Sequence, residues 1–114
     1  MKILTITDSK SNEELTIFIG QTSLENWDIL DKASQYDYWF HIKEMPSCHV
    51  ILKLLSSKSI VSKQTLNYCA MLCKNNSKFA SYKNIKIIYA RAKNVTKGNA
   101  IGSVCTKKTE IITV

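Results

Sequence analysis

The sequence predicts a single α+β domain, built as an antiparallel sheet with helices packed on one face. Its 114 residues, of which 45% are apolar, suffice for one hydrophobic core and leave little room for a second. Short β-branched runs recur along the chain, and two segments have helical spacing behind a capping residue. The expected element order, ββ-α-ββ-α-βββ, favours an antiparallel sheet over residues 1–114 as one domain.

Two alternating, β-branched runs open the chain, namely Lys2–Thr7 and Leu15–Ile19. The polar stretch between them predicts a hairpin, and Gly20 ends the second strand. Ser23 is the expected N-cap of a short helix that follows. The helical stripe consists of Leu24, Trp27 and either Ile29 or Leu30.

The segment Asp37–Leu54, DYWFHIKEMPSCHVILKL, predicts a second hairpin that turns at residues 45–47. Strand side chains alternate between the two faces of a sheet, so this hairpin divides into two sets of residues. The core set is Phe40, Ile42, Val50 and Leu52. The second set contains Trp39, His41, Lys43, His49 and Lys53. We expect the second face to stay open, because the helices cover only the first.

A longer helix is predicted over Lys63–Asn76, with Ser62 as its N-cap and an apolar stripe that includes Cys69 and Cys73. The β-rich run Asn84–Arg91 follows it. The last predicted elements are a basic loop over Ala92–Ala100 and two short strands, Ile101–Thr106 and Glu110–Val114, around a turn near Lys107 and Lys108.

The charge is strongly asymmetric along the chain. Residues 1–57 hold five lysines and eight acids, a net charge of −3, whereas residues 58–114 hold ten lysines, one arginine and one acid, a net charge of +10. A basic half of this kind is typical of a protein that binds a polyanion, and a lysine-rich solubilising surface is the alternative. Lysine neutralises phosphate but reads bases poorly, so recognition of backbone and shape is expected.

The first residues turn polar too early for a secretory signal, and no apolar run reaches the length of a membrane span. The four cysteines fit no CxxC pattern. We therefore expect a cytoplasmic protein with free thiols and no membrane partner.

His41 and His49, with Asp37 or Glu44 as an orienting carboxylate, are the only candidates for catalysis. The sequence lacks a nucleophile turn, a Gly-rich phosphate loop and an HExxH motif. Metal binding by His41, Cys48 and His49 matches no recognised zinc spacing. We expect neither an enzyme nor a cofactor nor a metal, and hydrogen-bonded sheet residues are the plainer interpretation of the histidines.

Nucleic-acid binding is better supported by the residues. Trp39 offers a ring for stacking on a base, and Lys43 and Lys53 flank it with positive charge. The basic loop adds Lys93 and Lys97. Gly98 allows backbone amides to approach a phosphate, and Arg91 precedes the loop. The candidate site therefore combines the second face of the hairpin with this loop.

These residues resemble a known family. Asp37-x-Trp39-Phe40-His41 followed by Pro46-x-x-His49-Val50 is similar to the signature of the NFACT-R (NFACT RNA-binding) domain. Further matches follow in order along residues 14–114. They include Gly20, Asn26, the helix segment Cys69–Ser77, Lys93, Val95, Lys97, Gly98, Gly102, Val104, Ile112 and Val114. The sequence departs from the family pattern at two places. Ser47-Cys48 replaces the usual small-residue turn, which should leave the hairpin intact. The basic loop has lost one lysine-proline step, and this loss is expected to weaken binding.

The resemblance implies a non-enzymatic RNA-binding domain, related to a domain of the ribosome quality-control factors and most similar to the small stand-alone members of the coiled-coil-domain-containing type. It implies tRNA, rRNA or the ribosome as partners, and it leaves open whether DNA is bound as well. Tailing activity is not carried over, because the other domains of the large factors are absent from these residues. The competing hypothesis is an adaptor that docks on a larger factor through the exposed Trp-His face.

Overall fold

A computed structural model describes all 114 residues. It contains eight strands, two α-helices and one 3-10 turn. The strands are β1 (Lys2–Thr7), β2 (Glu14–Gly20), β3 (Tyr38–Ile42), β4 (His49–Lys53), β5 (Lys86–Arg91), β6 (Val95–Lys97), β7 (Val104–Thr106) and β8 (Glu110–Thr113). The helices are α1 (Ser23–Lys32) and α2 (Lys63–Asn75), and the 3-10 turn is Ala92–Asn94. Neither helix has the length and apolar character needed to cross a bilayer.

Six strands form one antiparallel sheet in the order β1-β2-β4-β3-β5-β8, while β6 and β7 pair separately as a small hairpin. The α+β class and the antiparallel sheet predicted from the sequence are confirmed. The strand expected over Ile101–Thr106 begins only at Val104, because residues 99–102 form a turn in which Gly102 has a φ of +88°. A Cβ on Gly102 would lie 2.8 Å from the Ser23 Cα, so this turn packs directly against the start of α1.

The larger core lies between the sheet and α2. Phe40 and Ile42 of β3, and Val50 and Leu52 of β4, pack here, as the alternation predicts. From α2, Cys69, Ala70 and Cys73 complete the layer. Ser62 caps this helix as expected, since its Oγ accepts from the Thr65 N–H at 3.2 Å.

The smaller core lies on the opposite face of the sheet. Ile29 of α1 packs there with Trp39, Ile51, Ala90 and Val95. The expectation that both helices share one face and leave the other open is therefore wrong: α2 covers one face, and α1 together with the β6–β7 hairpin covers the other. The N-cap of α1 is Thr22 rather than Ser23, because the Thr22 Oγ1 accepts from the Glu25 N–H.

Candidate nucleic-acid interface

The family-signature residues Trp39 and His49 are buried, with side chains only 1% and 3% exposed. The Trp39 Nε1–H donates to His49 Nδ1 at 3.1 Å, so each satisfies the other inside the smaller core. The expectation of an exposed Trp-His face is wrong. Trp39 has no free ring face for a base, and an adaptor would find no such surface to dock on.

His41 lies beside this pair and is half-buried. Its ring stacks on that of Trp39 at a centroid distance of 5.7 Å and meets the His49 ring edge-on at 4.9 Å. Burial lowers the pKa of His49 to about 3, and the neighbouring His41 adds to the effect. Burial also lowers the pKa of His41, opposed by a hydrogen bond with the backbone of Ile42. Both histidines are therefore neutral at pH 7, and neither attracts a phosphate by charge.

Gly20 and Asn26 complete the buried network around His49. The Asn26 Oδ1 accepts from the His49 backbone N–H at 3.1 Å. A Cβ on Gly20 would lie 2.4 Å from that same oxygen, so only glycine leaves room for the contact. These two residues match the family pattern because they position the start of β4, and composition alone gives no signal for this role.

Asp37 and Lys53 form a second internal contact. The Lys53 Nζ lies 2.7 Å from the Asp37 Oδ2, and Asp37 is fully buried while the Lys53 side chain is 27% exposed. The other oxygen of Asp37 accepts from the Leu54 N–H, so the carboxylate joins the end of β4 to the loop before β3. Lys53 therefore stabilises the fold through this ion pair. Asp37 contacts Lys53 and does not orient either histidine, contrary to the role considered for it.

Lys43 lies at the other end of the sheet from the basic loop. Ile42 pairs with Ile87, and Tyr38 pairs with Arg91, so Lys43 and Arg91 flank opposite ends of β3. Five strand residues span about 17 Å. Lys43 therefore does not join the loop lysines in one site.

The cations that the fold does bring together lie around the 3-10 turn and the β6–β7 hairpin. We call this surface the basic edge and define it as Arg91, Lys93, Lys97, Lys107 and Lys108. The Lys107 N–H donates to the Asn94 carbonyl at 3.0 Å, and Lys108 shares a shallow cleft with Arg91 and Asn94. The sequence predicted only a turn at Lys107 and Lys108. It gave no sign that they lie near Lys93, because this proximity depends on the β6–β7 pairing.

Arg91 and Lys93 form the centre of the basic edge. The Arg91 guanidinium lies 4.0 Å from the centroid of the Tyr38 ring and donates to the Tyr36 carbonyl at 2.7 Å. Lys93 is exposed, and its backbone N–H is held by the Gln35 carbonyl at 3.0 Å. Three ion pairs occur in the structure, and none of them includes Lys93, Lys107 or Lys108. These three lysines form no ion pair within the chain, although Glu110 lines the same cleft as Lys108.

Lys97 and Gly98 differ from their neighbours. The Lys97 Nζ pairs with Asp31 of α1 at 2.8 Å and lies 5.2 Å from the centroid of the Trp27 ring. Gly98 donates its N–H to the Ser103 carbonyl, and a Cβ there would lie 2.5 Å from the Ser103 Oγ. Its amide is thus used by the β6–β7 turn rather than left for a phosphate.

An α+β domain with lysines gathered at one edge is typical of modules that bind nucleic acid. The chain is a member of the NFACT protein RNA binding domain family, whose model matches residues 3–108. The family expected from the sequence is confirmed.

Curated relatives agree with this assignment. The chain is 30% identical to coiled-coil domain-containing protein 25 of Mus musculus over 116 residues, covering 95% of this chain and 56% of that protein. The Danio rerio protein of the same name is 34% identical over 85 residues, covering 72% of this chain and 41% of the relative. Rqc2 homolog RqcH of Bacillus subtilis is 26% identical over 91 residues, covering 79% of this chain and 15% of RqcH. The chain thus spans about half the length of the coiled-coil-domain relatives and a small part of RqcH.

A solved structure shows the same fold. The C-terminal part of the fibronectin/fibrinogen-binding protein from Streptococcus suis superposes with a TM-score of 0.79. The match covers 94% of this chain and 43% of that one, at 23% sequence identity. At this identity the likeness establishes the architecture and no more.

Proposed function

We propose that this domain is a non-enzymatic binder of structured RNA, such as tRNA or rRNA, acting in the cytoplasm within translation or ribosome quality control. Family membership supports RNA as the ligand, and similarity to RqcH supports the ribosomal context. The observation that carries the proposal is the basic edge, where the 3-10 turn and the β6–β7 hairpin bring Lys93, Lys107 and Lys108 close to Arg91.

The chemistry of this surface favours phosphate contacts over sequence reading. Lysine ammonium groups act as point charges toward phosphate oxygens, and each contact releases counterions from the RNA. Arg91 is the only arginine in the chain, and its guanidinium is already fixed against Tyr38. The basic edge itself should therefore contribute similar affinity to many RNA sequences.

A pair of triple variants tests the proposal. One variant carries Lys93→Glu, Lys107→Glu and Lys108→Glu on the basic edge. The matched control carries Lys43→Glu, Lys78→Glu and Lys86→Glu around the β3–β4 turn, where these lysines line two clefts at the opposite end of the sheet. Both variants change the net charge equally, so long-range attraction falls by a similar amount in each.

Binding to a labelled tRNA is followed by fluorescence anisotropy, after thermal melting has shown that each variant is folded. The basic-edge variant should lose at least tenfold more affinity than the control, a free-energy difference of about 1.4 kcal/mol or more. Equal losses would show that only net charge matters and would refute the proposed surface. A duplex DNA competitor tests whether RNA is the preferred ligand, as family membership suggests, and displacement of the tRNA at equal concentration would refute that preference.

A further inference from the structure

Beside Lys93 lies a cleft that the phosphate-binding role leaves unexplained. It has a volume of about 420 Å³ and lies between the end of α1 and the β6 strand. Its floor is apolar and includes Leu30, Ala33 and Val95. Asp31, Gln35, Lys93 and Lys97 contribute polar side chains to its rim. An apolar floor with a few convergent polar groups is the usual composition of a small-ligand site.

The walls of the cleft are fixed to one another. The helix ends where the Ala33 N–H donates to the Leu30 carbonyl, and the chain then crosses to Gln35, whose carbonyl accepts from the Lys93 N–H at 3.0 Å. On the other side, the ion pair between Lys97 and Asp31 joins β6 to α1. The cleft therefore exists before any ligand arrives.

Resting on the proposed RNA-binding function, we propose that this cleft holds one unpaired nucleotide whose base carries an exocyclic amino group. The base lies on the apolar floor, and its phosphate is held by Lys93, the rim cation without a carboxylate partner. Asp31 is 58% exposed and pairs with Lys97 through Oδ2 only, so its Oδ1 is free to accept a hydrogen bond from the base. A carboxylate accepts hydrogen bonds and therefore favours an amino group, as in cytosine, over the carbonyl that uracil presents at the same position.

The test uses the full chain and labelled single strands of oligo(rC) and oligo(rU) of about twelve nucleotides, with a duplex of the same length as a third probe. The wild-type protein should bind oligo(rC) about fivefold more tightly than oligo(rU), the effect of one hydrogen bond. Asp31→Asn should raise the affinity for oligo(rU) about threefold and reduce the preference for cytosine to nearly one, because the amide both donates and accepts. Lys97→Met breaks the same ion pair but keeps the Asp31 carboxylate, so it should retain the preference for cytosine.

A second variant tests the floor. Ala33→Leu fills the cleft without a change of charge, so it should weaken both single strands at least threefold and leave duplex binding and the salt dependence unchanged. Ala80→Leu, at an exposed position after α2, is the matched control and should change neither. Asp31 is exposed, so its variant keeps the test available even if Ala33→Leu does not fold.

The outcomes separate this inference from the function on which it rests. Failure of every probe to bind would refute RNA binding itself. Normal binding with no preference for cytosine, unchanged by Asp31→Asn and Ala33→Leu, would refute only the nucleotide cleft.

Discussion

Stability should depend on pH between 7.5 and 5 because His49 is buried in its neutral form. Its pKa is about 3 in the folded protein, whereas an unfolded chain restores the ordinary value of about 6.5. Below pH 6.5 the unfolded state therefore binds a proton that the folded state does not, so stability falls as the pH falls. The loss of stability that His49 causes reaches its full size only near pH 3.

The size of the effect follows from the two pKa values. Between pH 7.5 and pH 5 the free energy of unfolding should fall by about 2 kcal/mol from His49 alone. His41 adds to the loss, because its pKa is also lowered by burial. Asp8 does not contribute in this window. Burial raises the pKa of Asp8, but hydrogen bonds from Thr65, Ser62 and Ser11 outweigh burial and lower it, so its contribution is lost only at more acidic pH.

Urea denaturation at constant ionic strength, followed by tryptophan fluorescence, measures this dependence. His49→Asn is the diagnostic variant, since its Oδ1 takes the place of Nδ1 as acceptor for the Trp39 Nε1–H and does not titrate in this range. The variant should lose about 2 kcal/mol of the pH dependence, whatever its stability at pH 7.5. A wild-type stability that stays flat down to pH 5, or a slope equal to that of His49→Asn, would refute the buried neutral histidine.

Three further variants separate fold residues from binding residues. Gly20→Ala should lower the free energy of unfolding by about 2 kcal/mol, because the new Cβ would displace the Asn26 oxygen from the His49 N–H. An unchanged melting temperature would contradict this. Trp39→Phe should cost about 1–3 kcal/mol of stability and leave the tRNA affinity of the folded protein unchanged, whereas weaker binding would make Trp39 part of the interface. Arg91→Lys keeps the charge but loses the contacts with the Tyr38 ring and the Tyr36 carbonyl. RNA affinity should therefore fall several-fold, while its dependence on salt concentration stays unchanged. A steeper or shallower salt dependence would show that the charge, rather than the geometry, was altered.

Alternation along the strands predicted the sides of the central hairpin correctly. Phe40 and Val50 do pack against α2, and Trp39 and His49 do point the other way. What covers that second face could not be predicted, since the period of a helix shows that it has an apolar stripe but not which side of the sheet it meets. The β6–β7 hairpin was also missed as a cover, because its two strands are only three residues long.

Only part of the candidate site could be predicted, because its residues also come together through long-range strand pairing. The basic loop pointed to Arg91, Lys93 and Lys97, which do lie together. Lys43 and Lys53 were added by local pattern, yet strand pairing places Lys43 at the far end of the sheet and Asp37 holds Lys53. Lys107 and Lys108 could be placed only once β7 was paired with β6. Long-range pairing, rather than local residue type, therefore decided which cations share a surface.

The dependence of RNA affinity on salt tests the central claim most directly. Each phosphate contact contributes a slope of roughly 0.7–0.9 in a plot of log K against log salt concentration. The three unpaired lysines alone give a slope of about −2, and all five cations of the basic edge give about −4.5. We expect a measured slope for tRNA between these values, reduced to less than half in the Lys93→Glu, Lys107→Glu, Lys108→Glu variant. A slope weaker than about −1, or one that the variant does not change, would contradict RNA binding through the basic edge.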